Sequence, residues 1–219
     1  MKRINIIVGH YGSGKTEFAI NLALKQESCY NKSVIVDMDT VNPYFRTKDV
    51  ERFLVEEGVD VIAPQFASTN VDLPSLPAEI NAAFETKDRF VVLDVGGDDE
   101  GATALGRYNR YITQEPYEML LVMNAKRPLT QMPEEFIEMI SDIERTSRLK
   151  VTGLVNNTNI SYETTVDDLL FGQEVAEQVS DKTGLPLRYI CGTKEVLNLL
   201  PDQIKTKRFA LDLKMWLPF

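Results

Sequence analysis

The sequence predicts an α/β fold in three layers, a mostly parallel, doubly wound sheet of about seven strands flanked by helices. Short apolar, β-rich runs recur along the chain, segments with helical spacing fall between them, and a glycine-rich turn joins the first run to the first helical segment. Strand and helix in alternation imply parallel strands, because each return to the same sheet edge needs a crossover. With 219 residues and no shift in composition along the chain, residues 1–219 read as one domain. A chain of this size buries about 70% of its unfolded surface, enough for a single core.

The first strand is "INIIV", Ile4 to Val8, and the turn after it is "GHYGSGKT". From Gly9 to Thr16 this fits G-x-x-x-x-G-K-[ST], the phosphate-binding P-loop, in the strand-to-helix setting that the motif requires. The fold expected is therefore that of a P-loop NTPase. Glycines let backbone N–H groups turn toward a phosphate, and the helix that follows aims its positive end at the same place. Gly9, Tyr11, Gly12, Ser13, Gly14, Lys15, Thr16 and Glu17 are the expected cradle, with Lys15 on the outer phosphates and the Thr16 hydroxyl on magnesium.

The second run, "SVIVD", ends in Asp37 and, two residues on, Asp39. Alternation aims both the same way at the carboxyl edge of the sheet, where ligands of doubly wound folds bind. Either could hold a metal-bound water, orient an attacking water or accept a proton, and either could instead cap the next turn. After "VDVIA" comes "APQFASTNVDLPSLPAEI", three prolines and a Ser-Thr-Asn cluster that read as a long loop. "RFVVLDVGG" ends a fourth strand with Asp94, placed to support magnesium, and Gly97, whose N–H can meet a terminal phosphate.

"YEMLLVM" reads as a fifth strand. In "MPEEFIEMISDIERT", Pro133 starts a helix with Phe136, Ile137, Ile140 and Ile143 on one face. "KVTGLVNNTN" gives a sixth strand that ends in Asn156 and Asn157. An asparagine amide matches the donor and acceptor edge of adenine. With no N-K-x-D to read guanine, ATP is favoured over GTP. Thr165 with Asp168 forms a capping box that opens another helix, and "PLRYI" is the seventh strand. "IKTKRFALDLKMWLPF" reads as a last helix docked on the sheet, with an amphipathic membrane-surface helix as the alternative.

The 33 acidic and 24 basic residues give a net charge of −9, which argues against sequence-independent binding to nucleic acid or anionic membrane. Cys29 and Cys191 are far apart and form no metal or redox motif. The basic opening is followed by too short an apolar run for a signal peptide, and no run reaches membrane-spanning length. A cytoplasmic protein is expected.

The quoted motifs together resemble the SIMIBI class of P-loop NTPases, and within it the MinD/ParA-like ATP-binding proteins. The resemblance rests on "GHYGSGKTE", the D-x-D of "VDMDTVNPYFR", "LDVGGDDEGA" and "VNNTN", and it covers most of the chain. It implies a homodimer with ATP and magnesium at the interface, acting as a switch on a protein partner. In that scheme Lys15 and Thr16 hold phosphate and metal, Asp39 or Asp37 positions the water, Asp94 supports the metal, and Asn157 or Asn156 meets adenine. The departure is His10, which stands where such proteins carry a signature lysine. Imidazole is shorter and ordinarily titrates near pH 6.5. His10 is thus either a plain loop residue or a partial substitute for that lysine. Two rivals share the same motifs: a small-molecule kinase with Arg46, Arg107 and Arg110 as lid or substrate arginines, and an ATP-binding regulatory module with negligible hydrolysis.

Overall fold

The computed structural model describes residues 1–25, 30, 32–39, 50–63, 79–97 and 99–214. In chain order the elements are β1 (Ile4–Val8), α1 (Lys15–Leu24), β2 (Lys32–Met38), α2 (Glu51–Glu56), β3 (Val59–Ile62), α3 (Glu79–Glu85), β4 (Arg89–Val95), α4 (Asp99–Arg107), α5 (Asn109–Ile112), β5 (Tyr117–Met123), α6 (Pro133–Ser147), β6 (Gly153–Asn156), α7 (Val166–Thr183), β7 (Leu187–Gly192), α8 (Lys194–Asn198) and β8 (Lys207–Ala210). The strands form one eight-stranded sheet in the order β3-β2-β4-β1-β5-β6-β7-β8, and each pairing between neighbours is parallel.

Helices cover both faces of this sheet, so its central strands lie in apolar surroundings on either side. All five residues of β1 are buried, and β2 and β4 are buried over six of seven. This explains why these strands read as continuous apolar runs rather than alternating ones. On one face Ile7, Ile35 and Val92 pack against Phe18, Ala19 and Leu22 of α1. On the other, Ile6, Val36 and Leu93 share a core with Phe136 and Ile140 of α6 and Val175 and Val179 of α7. The helix starts follow the sequence: Pro133 opens α6, and Thr165 caps α7 by accepting from the Asp168 N–H while the Asp168 carboxylate accepts the Thr165 N–H at 2.9 Å.

The eighth strand corrects the expected last helix. Residues Lys207–Ala210 extend along β7, where an open sheet edge offers unpaired N–H and C=O groups that outweigh local helical preference. Phe209 then packs on Phe18 and Tyr189, with ring centroids 5.0 and 5.4 Å away. Among the described residues no helix is long and apolar enough to cross a membrane. The proline-rich loop, the segment after Asp39, Cys29 and the final residues from Met215 lie outside the described residues.

At the edge of the sheet away from the P-loop, Arg3 ties three segments together. Its guanidinium is 5% exposed and donates to the carbonyls of Ala83, Phe84, Thr86 and Arg89 and to both oxygens of Glu115. Hydrogen bonding from Arg3, more than from Lys87, holds the Glu115 carboxyl down at about 2. A depressed carboxyl stabilises the fold above its unfolded pKa, and that stability is lost as pH falls toward the folded value. Glu115→Gln is expected to cost about 1–2 kcal/mol at pH 7, less than a full burial figure because one edge of the pair meets solvent. Urea titrations at several pH values should show the difference closing between pH 4.5 and 2.

Candidate phosphate and nucleotide site

The strand order makes β1 central, with β4 and β2 on one side and β5 on the other. The chain leaves β1 at the carboxyl edge where the winding direction reverses, which is where doubly wound sheets bind ligands. The loop from Gly9 to Gly14 turns there and delivers Lys15 and Thr16 as the first residues of α1. Gly14 has φ +82°, and a Cβ on it would lie 2.4 Å from the side-chain nitrogen of Asn157. Only glycine satisfies both the left-handed turn and that close approach. Gly97 is equally constrained, since its Cβ would meet the Tyr11 nitrogen at 2.7 Å and the Gly9 carbonyl at 2.9 Å. The loop after β4 thus lies directly on the P-loop backbone.

Strand parity gathers the acids. Asp37 and Asp94 are register partners on β2 and β4, and they lie two residues past Ile35 and Val92, which pack on the α1 face. Asp39 lies two residues past Asp37, and the three carboxylates are 1–4% exposed. Their roles differ. Asp37 Oδ1 accepts the Asp39 N–H at 2.9 Å, the turn-capping alternative. Asp39 lies 3.6 Å from the Lys15 ammonium, which is itself buried. Thr16 hydrogen-bonds Asp94. Burial pushes the Asp94 carboxyl up to about 6 despite the pull of Lys15 and of that hydrogen bond. Asp94 Oδ1 and Ser13 Oγ are buried with no hydrogen-bond partner among the described residues. Buried acceptors of this kind normally find a ligand, water or ion, and carboxylate and hydroxyl oxygens suit magnesium. The residues present therefore fit that ion.

The two asparagines separate. Asn157 donates its amide to the Ser13 carbonyl at 2.8 Å, so its Oδ1 is the acceptor left over. Asn156 does not reach the site. It is fully buried, donates to the Leu169 carbonyl at 3.0 Å and accepts from the Thr158 N–H at 3.1 Å, anchoring α7 to β6. Glu17 faces the site, but its Oε1 accepts the Lys214 N–H at 2.7 Å, so it braces the chain after β8. Tyr11 is 53% exposed and meets the loop through its backbone. His10 Nδ1 lies 2.9 Å from the Tyr11 carbonyl, which can only accept, so Nδ1 carries the proton. Arg107 and Arg110 end α4 and lie on α5, where the chain has returned to the opposite edge of the sheet to begin β5. They do not join the cluster, and Arg46 lies outside the described residues.

Sequence reading missed Arg127, in the loop after β5, whose Nε donates to the Gly12 carbonyl at 3.0 Å. Asn157 lines a cavity of about 180 Å³ beside Lys15 and Thr16, and sequence reading missed the others that form it with Asn157, among them Asn159, Tyr162, Thr193, Leu211 and Leu213. These residues come from three separate loops, after β6, β7 and β8, and no spacing in the sequence marks them. A second cleft, about 370 Å³, lies against the other flank of the loop and is lined by Gly9, His10, Gly97, Leu129, Glu138, Met139 and Asp142 among others.

The raised Asp94 carboxyl has a measurable consequence. Its neutral form suits the fold, so stability falls as pH rises from its unfolded pKa to about 6 and is level above that. In metal-free solution Asp94→Asn removes this loss. Urea unfolding should find the variant more stable than the wild type at pH 7.5 by about 2–3 kcal/mol, with the gap closing by pH 4. A wild type as stable as the variant at pH 7.5 would show that Asp94 ionises without penalty.

No protein-family model matches the sequence, and a search of curated proteins finds no match. Solved structures do match in fold. Chloroplast FtsY of Physcomitrella patens is 17% identical with a TM-score of 0.56, over 86% of this chain and 58% of that one. The signal recognition particle 54 kDa protein of Aeropyrum pernix, solved with GDP, is 22% identical with a TM-score of 0.53, over 84% and 40% of the two chains. The chain thus spans less than two thirds of either. A nucleotide-binding protein of Archaeoglobus fulgidus, solved with ADP, is 16% identical with a TM-score of 0.50, over 97% of this chain and 94% of that one. At these identities the likeness concerns architecture: the chain has the P-loop NTPase fold, an eight-stranded parallel sheet between helices with the glycine-rich loop at the end of its central strand.

Proposed function

We propose that this protein binds ATP with magnesium and hydrolyses it slowly as a MinD/ParA-like dimeric switch, acting on a protein partner in the cytoplasm. The observation that carries the reading is the buried cluster of Lys15, Thr16, Asp39 and Asp94 at the mouth of the P-loop. Magnesium held by Thr16 and Asp94 supplies charge neutralisation at the outer phosphates. Lys15 contacts the same phosphates and leaves its pairing with Asp39. Asp39, released, orients the attacking water and takes its proton, with Asp37 fixing the turn that aims it. The Gly97 N–H faces the terminal phosphate from the loop after β4. Adenine suits the cavity beside Asn157 better than guanine, because Asn157 offers an acceptor to the exocyclic amine. Glu17, the one acid among the described lining residues, accepts the Lys214 backbone N–H.

The 370 Å³ cleft on the other flank favours one alternative, phosphoryl transfer to a small acceptor bound against Gly9 and Gly97. Light scattering with a non-hydrolysable ATP analogue against ADP, both with magnesium, separates the two. The switch predicts a doubling of mass with the analogue only, and the kinase a constant monomer with acceptor-dependent turnover. Lys15→Ala should weaken ATP binding about 100-fold or more, whereas Asp39→Asn should retain binding and lose about 100-fold or more in turnover. Equal turnover in Asp39→Asn and wild type would remove Asp39 from the chemistry.

A further inference from the structure

We propose that residues 211–214 form one wall of a nucleobase subsite, and that Asn21 and Glu17 are the positioning residues that set it. This rests on the nucleotide reading above. After Ala210 one more ladder bond is made, from the Leu211 N–H to the Gly192 carbonyl at 2.8 Å, and the chain then leaves the sheet. It runs over the side of α1, where a stripe of residues four apart receives it. Lys25 donates to the Ala210 carbonyl. Asn21 donates to the Asp212 carbonyl at 3.1 Å and accepts the Asp212 N–H at 2.8 Å, a side chain standing in for a neighbouring strand. Glu17 accepts the Lys214 N–H at 2.7 Å and the Asn21 amide at 3.2 Å.

Asn21 is fully buried in the interior of a helix, where asparagine is a poor choice because its amide competes for backbone groups. Its reciprocal bonds to Asp212 are the compensation. They place Leu211 and Leu213 in the lining of the cavity beside Lys15 and Thr16, together with Tyr162 and Asn157. Tyr162 is 67% exposed and Leu213 38%, so two apolar side chains stand open to solvent in one cavity next to the phosphate loop. A purine has two flat apolar faces and a polar edge, the complement of Tyr162 and Leu213 with Asn157 between the loop and the cavity. Helix α1 and the residue that ends it thereby carry both halves of the site: the phosphate end at Lys15 and the base wall along Glu17, Asn21 and Lys25.

The test is calorimetry with ATP and with inorganic tripolyphosphate, both with magnesium, on the wild type, Asn21→Leu and Leu213→Ala. Tripolyphosphate reports the P-loop without a base. The expected result is that ATP binds the wild type at least tenfold more tightly than tripolyphosphate does. Asn21→Leu should lose about tenfold or more on ATP, and Leu213→Ala, a surface change that leaves the latch intact, about threefold or more, while tripolyphosphate affinity stays within twofold in both. Parallel losses on the two ligands would make the latch a support of the fold alone and overturn the proposal, as would unchanged ATP binding in both variants. A wild type that binds tripolyphosphate and ATP equally refutes the base wall and leaves the phosphate loop standing, whereas one that binds neither overturns the nucleotide reading and the wall with it.

Discussion

An ammonium group buried at the end of the central strand governs this structure. Lys15 is 4% exposed, and a charge so enclosed persists only if anions surround it. The parallel sheet supplies them by geometry, because β2 and β4 pair in register and end in aspartates on the face that α1 covers. Asp39 and Asp94 both act on this one ammonium, with the buried Asp37 beside them. Burial, with a smaller push from the Asp39 charge, holds the proton on Asp94 above the usual carboxylate range against the pull of Lys15. A divalent cation held by Asp94 and Thr16 would offset these acids.

Much of this was legible in the sequence for physical reasons. Strands buried on both faces spell continuous apolar runs, so β1, β2, β4 and β5 stand out. The P-loop is legible because its glycines answer local steric demands that no other residue meets. Thr165 with Asp168 is legible because a capping box lies within four residues. What failed to show depended on distant partners. Nothing in "KRFA" marks a strand, and Lys207–Ala210 becomes one because β7 has an open edge and Phe209 finds Phe18 and Tyr189. Asn156 and Asn157 are indistinguishable as letters, yet one turns into α7 and the other onto the P-loop. Gly172 explains the first of these, since a Cβ there would lie 2.5 Å from the Asn156 side-chain oxygen, so α7 packs too close for Asn156 to turn elsewhere.

The two flanks of the phosphate loop differ in character. On one, Asn157, Arg127 and the chain after β8 surround a small cavity whose polar groups are mostly committed to neighbours. On the other, Gly97 presses on the loop backbone beside a larger cleft bordered by α6, with Glu138 and Asp142 toward solvent. The first flank suits a ligand of fixed shape, and the second leaves room for a component that comes and goes.

The contact between Glu17 and Lys214 joins residues 197 positions apart. Closing so long a loop brings a large entropic cost before any contact rewards it, so this part of the molecule forms late in folding. During synthesis the phosphate loop emerges well before the segment beside it, which must wait until residue 214 has been made. With the base wall proposed above, a growing chain displays the glycine-rich turn long before it can hold a whole nucleotide, and firm retention of one reports that folding has reached β8.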